Sequence, residues 1–108
     1  PTTKVVVNRV EVKFEVSSSD YLAWSFSTKN RDIGFSVTVN GVDLVAYQRY
    51  NSHEDCVADV VEVTQTGTAV LTWDNSYSRV WSKSLTYSCA IFSPDDIATA
   101  TASIRLGV

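Results

Sequence analysis

The residue types that most often carry out catalysis or bind metals come together once in this sequence, in His53-Glu54-Asp55-Cys56. His53 is the only histidine, so a Ser-His-Asp triad or a histidine-based metal site would have to use it. Consecutive side chains cannot all point at one ion, and Asn51 to Asp55 has the composition of a polar turn. We therefore expect a solvated loop histidine, and no catalytic residue, cofactor or metal.

Two other catalytic arrangements are equally weak in the sequence. Glycoside hydrolysis needs two carboxyl groups roughly 5 to 10 Å apart in a cleft, and nothing around Asp32, Asp43 or Asp74 marks a desolvated carboxylate. The four glycines are scattered, so no glycine-rich loop could hold a phosphate. We expect a binding protein rather than an enzyme.

The stretch with the most binding chemistry is Leu71 to Tyr87, which reads LTWDNSYSRVWSKSLTY. Its two ends are strand-like runs, and residues 74–78 between them are polar and aromatic. Asp, Asn and Ser side chains can hydrogen-bond their own backbone and tolerate turn geometry. We therefore predict that the chain reverses here in a loop ordered by its own side chains.

Two interpretations of this stretch stay open. In the structural one, Asp74 and Asn75 cap the turn and Lys83 pairs with a carboxylate, while two aromatic rings close one end of the core, those of Trp73 and Tyr77. In the functional one, an exposed patch binds a partner or an anionic head group, because Tyr, Trp and Arg are the usual anchors of interfaces. That patch consists of Tyr77, Arg79, Trp81 and Lys83, with Tyr47, Arg49 and Tyr50 as secondary candidates.

Charge and hydropathy narrow the choice of partner. Nine Lys and Arg against twelve Asp and Glu give a net charge of -3, and neither sign forms a run, so the cation cluster that nucleic-acid phosphates require is missing. No stretch approaches the roughly 20 apolar residues of a membrane-spanning helix. The two cysteines, Cys56 and Cys89, lie in strand-like runs that suit buried free thiols or one disulfide, and we favour free thiols.

Alternation of apolar and polar residues runs through most of the chain and is typical of antiparallel strands with one buried face. Asn40-Gly41 is the strongest hairpin signal, because a type I′ turn needs positive φ at both central residues; it joins Ile33–Val39 to Val42–Tyr50. Turn signals recur about every eight to twelve residues. These features predict an all-β fold, an antiparallel β-sandwich of two sheets with seven to eight strands, jelly-roll-like, in a single domain over residues 1–108.

The final segment is ambiguous. Ser93-Pro94-Asp95-Asp96 could cap a helix, with Pro at the first helical position. The following IATATASIRL, however, alternates Ala, Ile and Leu with Thr, Ser and Arg. We favour a strand, because this period and the β-branched residues suit one.

The order and spacing of several motifs resemble those of the GOLD (Golgi dynamics) domain. The match spans about Val10 to Phe92, and its specific part is WDNSYS followed by Lys-x-Leu-x-Tyr. The motifs are Trp24-Ser-Phe26, then Asp32-Ile33-Gly-Phe35-Ser-Val37, then Gly67 two residues before a strand, and last Trp73-Asp74-Asn75-Ser76-Tyr77-Ser78 with Lys83, Leu85 and Tyr87.

This resemblance implies a β-sandwich that serves, without catalysis, as a protein-interaction or cargo-binding module in Golgi, endosomal and secretory traffic or lipid transfer. The motif residues carry over as structure, and they are Trp24, Phe26, Ile33, Phe35, Trp73, Asp74, Asn75, Lys83 and Tyr87. The versions most similar to this chain are those of cytosolic lipid-transfer proteins and endosomal coiled-coil adaptors. We therefore expect a cytoplasmic location peripheral to Golgi or endosomal membranes, with a lumenal or secretory one as the alternative.

The expected partner is a protein. A carbohydrate or an anionic lipid is the alternative ligand, and pairing of a partner's strand with an open sheet edge is an alternative mode. The chain begins with Pro1 rather than Met, so we also expect it to be one domain of a larger protein.

Overall fold

The computed structural model describes residues 1–78 and 80–105. Of residues 100–105 it describes the backbone, and side chains are described up to residue 99. These residues form eight strands and one helix. The strands are β1 (Thr2–Val6), β2 (Arg9–Val16), β3 (Tyr21–Lys29), β4 (Ile33–Val39), β5 (Val42–Tyr50), β6 (Val57–Glu62), β7 (Gly67–Asp74) and β8 (Lys83–Phe92), and the helix is α1 (Pro94–Arg105).

The strands form two four-stranded antiparallel sheets that pack face to face. Sheet A has the order β1-β8-β3-β6 and sheet B the order β2-β7-β4-β5. Successive strands change sheets, except at the β4–β5 hairpin, where Asn40 and Gly41 have φ values of 52° and 78°. This order is that of a jelly roll. The predicted sandwich, its strand number and its type I′ hairpin signal are therefore confirmed.

Aromatic rings fill the space between the sheets. Phe26 of sheet A lies against Phe35 and Trp73 of sheet B, with ring centroids 4.8 and 5.7 Å away, and Tyr87 stacks on Trp73 at 4.6 Å. Burying one such side chain stabilises the fold by about 1.5 to 3 kcal/mol. The residues predicted for the core are buried, apart from the half-buried Tyr87; they are Trp24, Phe26, Ile33, Phe35, Val37 and Leu85.

Strand register brings four connections to one end of the sandwich, which we call the loop end. In sheet B, Arg9, Asp74, Gly34 and Arg49 follow one another across the four strands. In sheet A, Lys83 pairs with Val6, and Ser84 with Lys29. The loop end therefore contains residues 7–8, the turn at 30–32, the β5–β6 connection at 51–56 and the loop at 75–82.

The prediction of a strand after residue 93 is wrong, because this segment is the helix α1. Ser93 caps it: its hydroxyl accepts a hydrogen bond from the Asp96 N–H at 3.1 Å, and its own N–H donates to the Asp96 carboxylate at 2.9 Å. Pro94 at the first helical position has no N–H that needs a partner. These start signals prevail over the alternating pattern, since alanine and threonine offer a sheet little apolar area.

Both cysteines are free thiols, as favoured from the sequence. Cys56 lies just before β6 and is exposed rather than buried, whereas Cys89 is partly buried and its pKa is raised by that burial. No helix among the described residues has the length and apolar character needed to cross a bilayer.

Candidate binding site at the loop end

A buried amide organises the loop end. The side chain of Asn75 is fully buried, and its Nδ2 lies 3.2, 3.1 and 2.7 Å from the carbonyl oxygens of Val6, Val7 and Trp81. Its Oδ1 accepts a hydrogen bond from Lys83 Nζ. One side chain thus joins the end of β1 to both sides of the β7–β8 loop, and the predicted ordering of this loop by its own side chains is confirmed.

Lys83 is an interior residue, so its prediction as part of an exposed patch is wrong. Only 2 % of the residue is exposed, and its ammonium group donates to Asn75 Oδ1 and, at 3.4 Å, to the hydroxyl of Tyr77. The expected carboxylate partner is also wrong, because an amide and a phenol take that place. Burial lowers the pKa of the Lys83 ammonium from its usual value. We call Asn75 and Lys83 the inner pair.

Tyr77 is half-buried and links the loop to sheet B. Its hydroxyl lies 2.9 Å from Asp32 Oδ1 and 3.0 Å from the Asp32 carbonyl oxygen. Desolvation and the hydrogen bond to Asp32 raise the pKa of Tyr77 to about 12. The Asp74 carboxylate accepts a hydrogen bond from the Ser76 N–H at 2.7 Å, which confirms the predicted turn cap.

Arg49 completes a chain of contacts on the outer face of sheet B. Its Nε and Nη2 lie 2.9 and 2.8 Å from Asp32 Oδ2, and its guanidinium carbon lies 3.9 Å from the centre of the Tyr77 ring. Partial burial raises the pKa of Asp32, but the hydrogen bonds from Tyr77 and Arg49 outweigh it and bring this pKa below its usual value. The Arg49 side chain remains 53 % exposed while it is held from two sides.

Tyr47 lies on the same face, over the backbone of Gly34. A Cβ atom at Gly34 would come within 2.5 Å of the Tyr47 ring and hydroxyl, so only glycine leaves room for this packing. The β4–β5 register shifts between Phe35 and Val37, and such a bulge redirects a side chain. Tyr47 and Arg49 form what we call the Tyr47–Arg49 surface. Each of the two side chains is about half exposed.

Tyr50 was predicted with these two residues; it is partly buried and packs against the core. Its ring lies 5.9 Å from that of Phe26 and 6.2 Å from that of Phe35, both in edge-on geometry. It faces inward because it is one residue beyond Arg49 in a strand whose side chains alternate. Tyr50 therefore packs mainly against the core, and its role as a contact residue stays a prediction.

Trp81 is the exposed aromatic residue of the β7–β8 loop, with 54 % of its surface accessible. Arg31 covers one face of its ring, with the guanidinium carbon 4.2 Å from the ring centre, so less ring surface is left for stacking on a sugar. A hollow of about 400 Å³ adjoins both residues and is also lined by Val5, Lys29, Asn30, Ser82 and Ser84. Arg79, the remaining residue of the predicted patch, lies outside the described residues.

A second hollow, of about 520 Å³, lies on the outer face of sheet A. Most of its lining is small and uncharged, and it includes Ala23, Ser25, Ala58, Ser88 and Ala90. Asp59 is the only charged side chain among the described residues that line it. We place the candidate site at the loop end, because side chains capable of oriented recognition converge there.

Sequence reasoning missed the residues that support this site. Asp32 and Gly34 position Arg49 and Tyr47, and Arg31 packs on Trp81. No local pattern could identify Asp32, since Arg49 and Tyr77 are 17 and 45 residues away from it. Arg31 offered a weak signal as a cation in a turn.

His53 is an exposed loop residue, 3.9 Å from the Glu54 carboxylate. Within residues 1–78 and 80–105, no group of three or more His, Cys, Asp or Glu side chains is arranged to hold a metal ion. No family model matches the chain.

Proposed function

We propose that this domain is a non-catalytic protein-binding module and that the Tyr47–Arg49 surface is the centre of the contact. The observation that carries the proposal is that two exposed side chains of the types most common at interface hot spots are each fixed by neighbours. Arg49 is held by Asp32 and Tyr77, and Tyr47 by Gly34.

Fixed geometry matters because binding orders side chains at a cost of about 0.5 to 1.5 kcal/mol each. A tyrosine that already packs against the backbone at Gly34 and an arginine that already forms an ion pair lose little freedom when a partner arrives. The guanidinium of Arg49 still has donors to offer, since it bonds Asp32 through two of its nitrogens. A partner with a carboxylate or carbonyl next to an apolar group would suit this surface.

The cellular role follows from the resemblance to GOLD domains rather than from the geometry. It supports a module that recruits a protein partner in vesicle traffic or lipid transport, as part of an adaptor at the cytoplasmic face of Golgi or endosomal membranes. The loop that carries the specific part of the resemblance is also the one that holds Tyr77 against Asp32, so those motif residues would serve to build the surface.

The test is affinity capture with the domain from an extract of its own cells, followed by direct titration of the purified partner. Tyr47→Ala should weaken binding by about 2 kcal/mol or more, which is typical of a hot-spot aromatic residue, and Arg49→Ala should weaken it severalfold or more. Lys13→Ala is the matched control, because Lys13 is exposed on the outer face of sheet B at the far edge strand β2.

Gly34→Ala sharpens the test, because it displaces the Tyr47 ring without deleting it. The atoms that the new methyl group would meet are the far end of an exposed side chain, so the fold can adjust by moving that ring. We expect binding to weaken while the free energy of unfolding changes by less than about 1 kcal/mol. A partner that binds all three variants as tightly as it binds the parent would contradict the proposal.

A further inference from the structure

A second surface at the loop end combines exposed apolar side chains with cations. Val5, Val7, Val80 and Trp81 are 69, 72, 78 and 54 % exposed, and we call these four residues the apolar tip. They come from two segments that Asn75 holds together, since its Nδ2 lies 3.1 Å from the Val7 carbonyl oxygen and 2.7 Å from that of Trp81.

The cations beside the apolar tip come from the β3–β4 turn. Lys29 and Arg31 line the same hollow as Val5 and Trp81, and Arg31 packs on the Trp81 ring. The turn itself is braced, because the Thr28 hydroxyl donates to the Arg31 carbonyl oxygen at 2.6 Å. Neither cation forms an ion pair with a described residue.

The charge of this surface is opposite to that of the whole chain, whose net charge is -3. The described residues that line the hollow include no carboxylate, and its polar groups are the amide of Asn30 and the hydroxyls of Ser82 and Ser84. Of the carboxylates in the neighbouring connections, Asp32 already pairs with Arg49 and Tyr77, and Glu54 lies 3.9 Å from His53. The charged side chains among the described residues that line the hollow are both cations, Lys29 and Arg31, and these favour an anion there.

We propose that the apolar tip, together with Lys29 and Arg31, docks this domain on a lipid bilayer that contains anionic lipids. The occupant must supply an apolar phase and negative charge side by side, and a bilayer does so with hydrocarbon beneath a layer of phosphates. Tryptophan suits this boundary, because its ring is apolar and its N–H is polar. Insertion of the tip and attraction of the cations act together, as stable peripheral binding requires.

This surface is separate from the Tyr47–Arg49 surface and would bind a different class of partner. The inference therefore does not depend on the proposed protein-binding function. Tyr47→Ala should leave vesicle binding unchanged, and a variant of the apolar tip should leave the Tyr47–Arg49 contacts in place.

The first test is sedimentation of the domain with vesicles of phosphatidylcholine alone or mixed with phosphatidylserine, at about 0.1 M salt, where the Debye length is about 10 Å. We expect binding to the mixed vesicles only. Val80→Glu should reduce the partition coefficient by about tenfold or more, and Lys29→Glu by about fivefold or more, since each cation near an anionic surface contributes about that factor.

Matched controls carry the same changes elsewhere. Val42→Glu introduces the same carboxylate at a residue that is 59 % exposed, at the opposite end of β4 and β5, and Lys13→Glu reverses a charge on the edge strand β2. Both should sediment like the parent domain. Thermal unfolding of all four variants should match that of the parent, because each changed side chain is exposed.

The second test uses iodide quenching of tryptophan emission, which here selects one residue. Of the three tryptophans, Trp24 and Trp73 are 6 and 0 % exposed while Trp81 is 54 % exposed, so iodide in water reaches Trp81. Mixed vesicles should shift the emission to the blue and protect it from iodide, and phosphatidylcholine alone should do neither.

Three results would overturn the proposal. The first is the absence of sedimentation with the mixed vesicles, and the second is an equal loss of binding in Val42→Glu and Val80→Glu. The third is protection of Trp81 from iodide by inorganic phosphate alone, without vesicle binding, which would assign the hollow to a soluble anion. If the parent domain binds no vesicles and Val80→Glu loses binding to a purified protein partner, the apolar tip would instead be assigned to a protein.

Discussion

The inner pair and the exposed Trp81 come from one short stretch of the chain, residues 75–83, yet they have opposite roles. Asn75 and Lys83 are at most 2 % exposed and bond to each other. Trp81, two residues before Lys83, is more than half exposed, and the Arg31 guanidinium covers one face of its ring. Residue type within one short stretch therefore does not separate structural from binding residues, whereas burial and partners do.

The comparison also explains why the outward side chains of the β7–β8 loop can remain exposed to solvent. The Asn75 amide shares its two N–H donors among three backbone carbonyl oxygens and accepts from the Lys83 ammonium group. A buried polar group left without a partner costs about 1 to 3 kcal/mol. The loop is ordered from within, so its outward side chains need not stabilise it. They are available for binding.

The largest expected effect is that of Asn75→Ala. It would remove the donors to the Val6, Val7 and Trp81 carbonyl groups and leave the Lys83 ammonium without its amide oxygen. We expect the free energy of unfolding in urea to fall by about 3 to 5 kcal/mol, out of a total of about 5 to 15 kcal/mol for a typical domain.

Asn8→Ala is the matched control for this prediction. Asn8 is exposed, and the structure shows only its backbone carbonyl oxygen in contact with the loop, where it accepts the Asn75 N–H at 2.7 Å. The change should cost less than about 0.5 kcal/mol. A loss below about 1 kcal/mol in Asn75→Ala would show that the inner pair does not order the loop.

An intermediate effect is expected for Tyr77→Phe, since Tyr77 lies between the inner pair and Arg49. Loss of its hydrogen bond to Asp32 should cost about 1 kcal/mol near neutral pH. The folded-state pKa of Tyr77, about 12, exceeds the usual 10.0, so this contribution is present below pH 10 and disappears as the pH rises through the folded-state pKa. The pKa of Asp32 is lowered below 3.8, so its contribution is present above that pH and disappears as the pH falls through the lowered value.

The difference in unfolding free energy between the parent and Tyr77→Phe should therefore be largest between about pH 4 and pH 10 and shrink on both sides. Chemical denaturation at a series of pH values measures it. Tyr21→Phe is the control, because among the described residues the Tyr21 hydroxyl has no hydrogen bond. A difference that is constant with pH would mean that the Tyr77–Asp32 bond does not form in solution.

The smallest effect on stability is expected for Trp81→Ala. Its side chain is exposed, and the bonds that the residue makes with Asn75 and Ser78 come from its backbone, so the substitution leaves them intact. The free energy of unfolding should change by less than about 0.5 kcal/mol, with the contact to Arg31 as the main loss. A loss above about 1.5 kcal/mol would place Trp81 with the structural residues and remove the contrast between the two groups.

Local chemistry in the sequence was sufficient for the fold class. Period-two alternation marks one buried and one exposed face of each strand, and Asn40-Gly41 specifies a hairpin, because both signals depend on residues close together in the chain. The same kind of reasoning failed after residue 93, where a capping box outweighed an alternating pattern of small residues.

The site was decided by tertiary structure, because its contacts join residues that are far apart in sequence. Lys83 and Tyr50 have the composition of interface residues, but strand register turns both inward. Arg49 is fixed by Asp32 and Tyr77, and the apolar tip forms only where Asn75 joins β1 to the β7–β8 loop. A sequence specifies which residues can bind a partner, whereas the free energy of burial, which depends on neighbours from other strands, decides which of them remain at the surface.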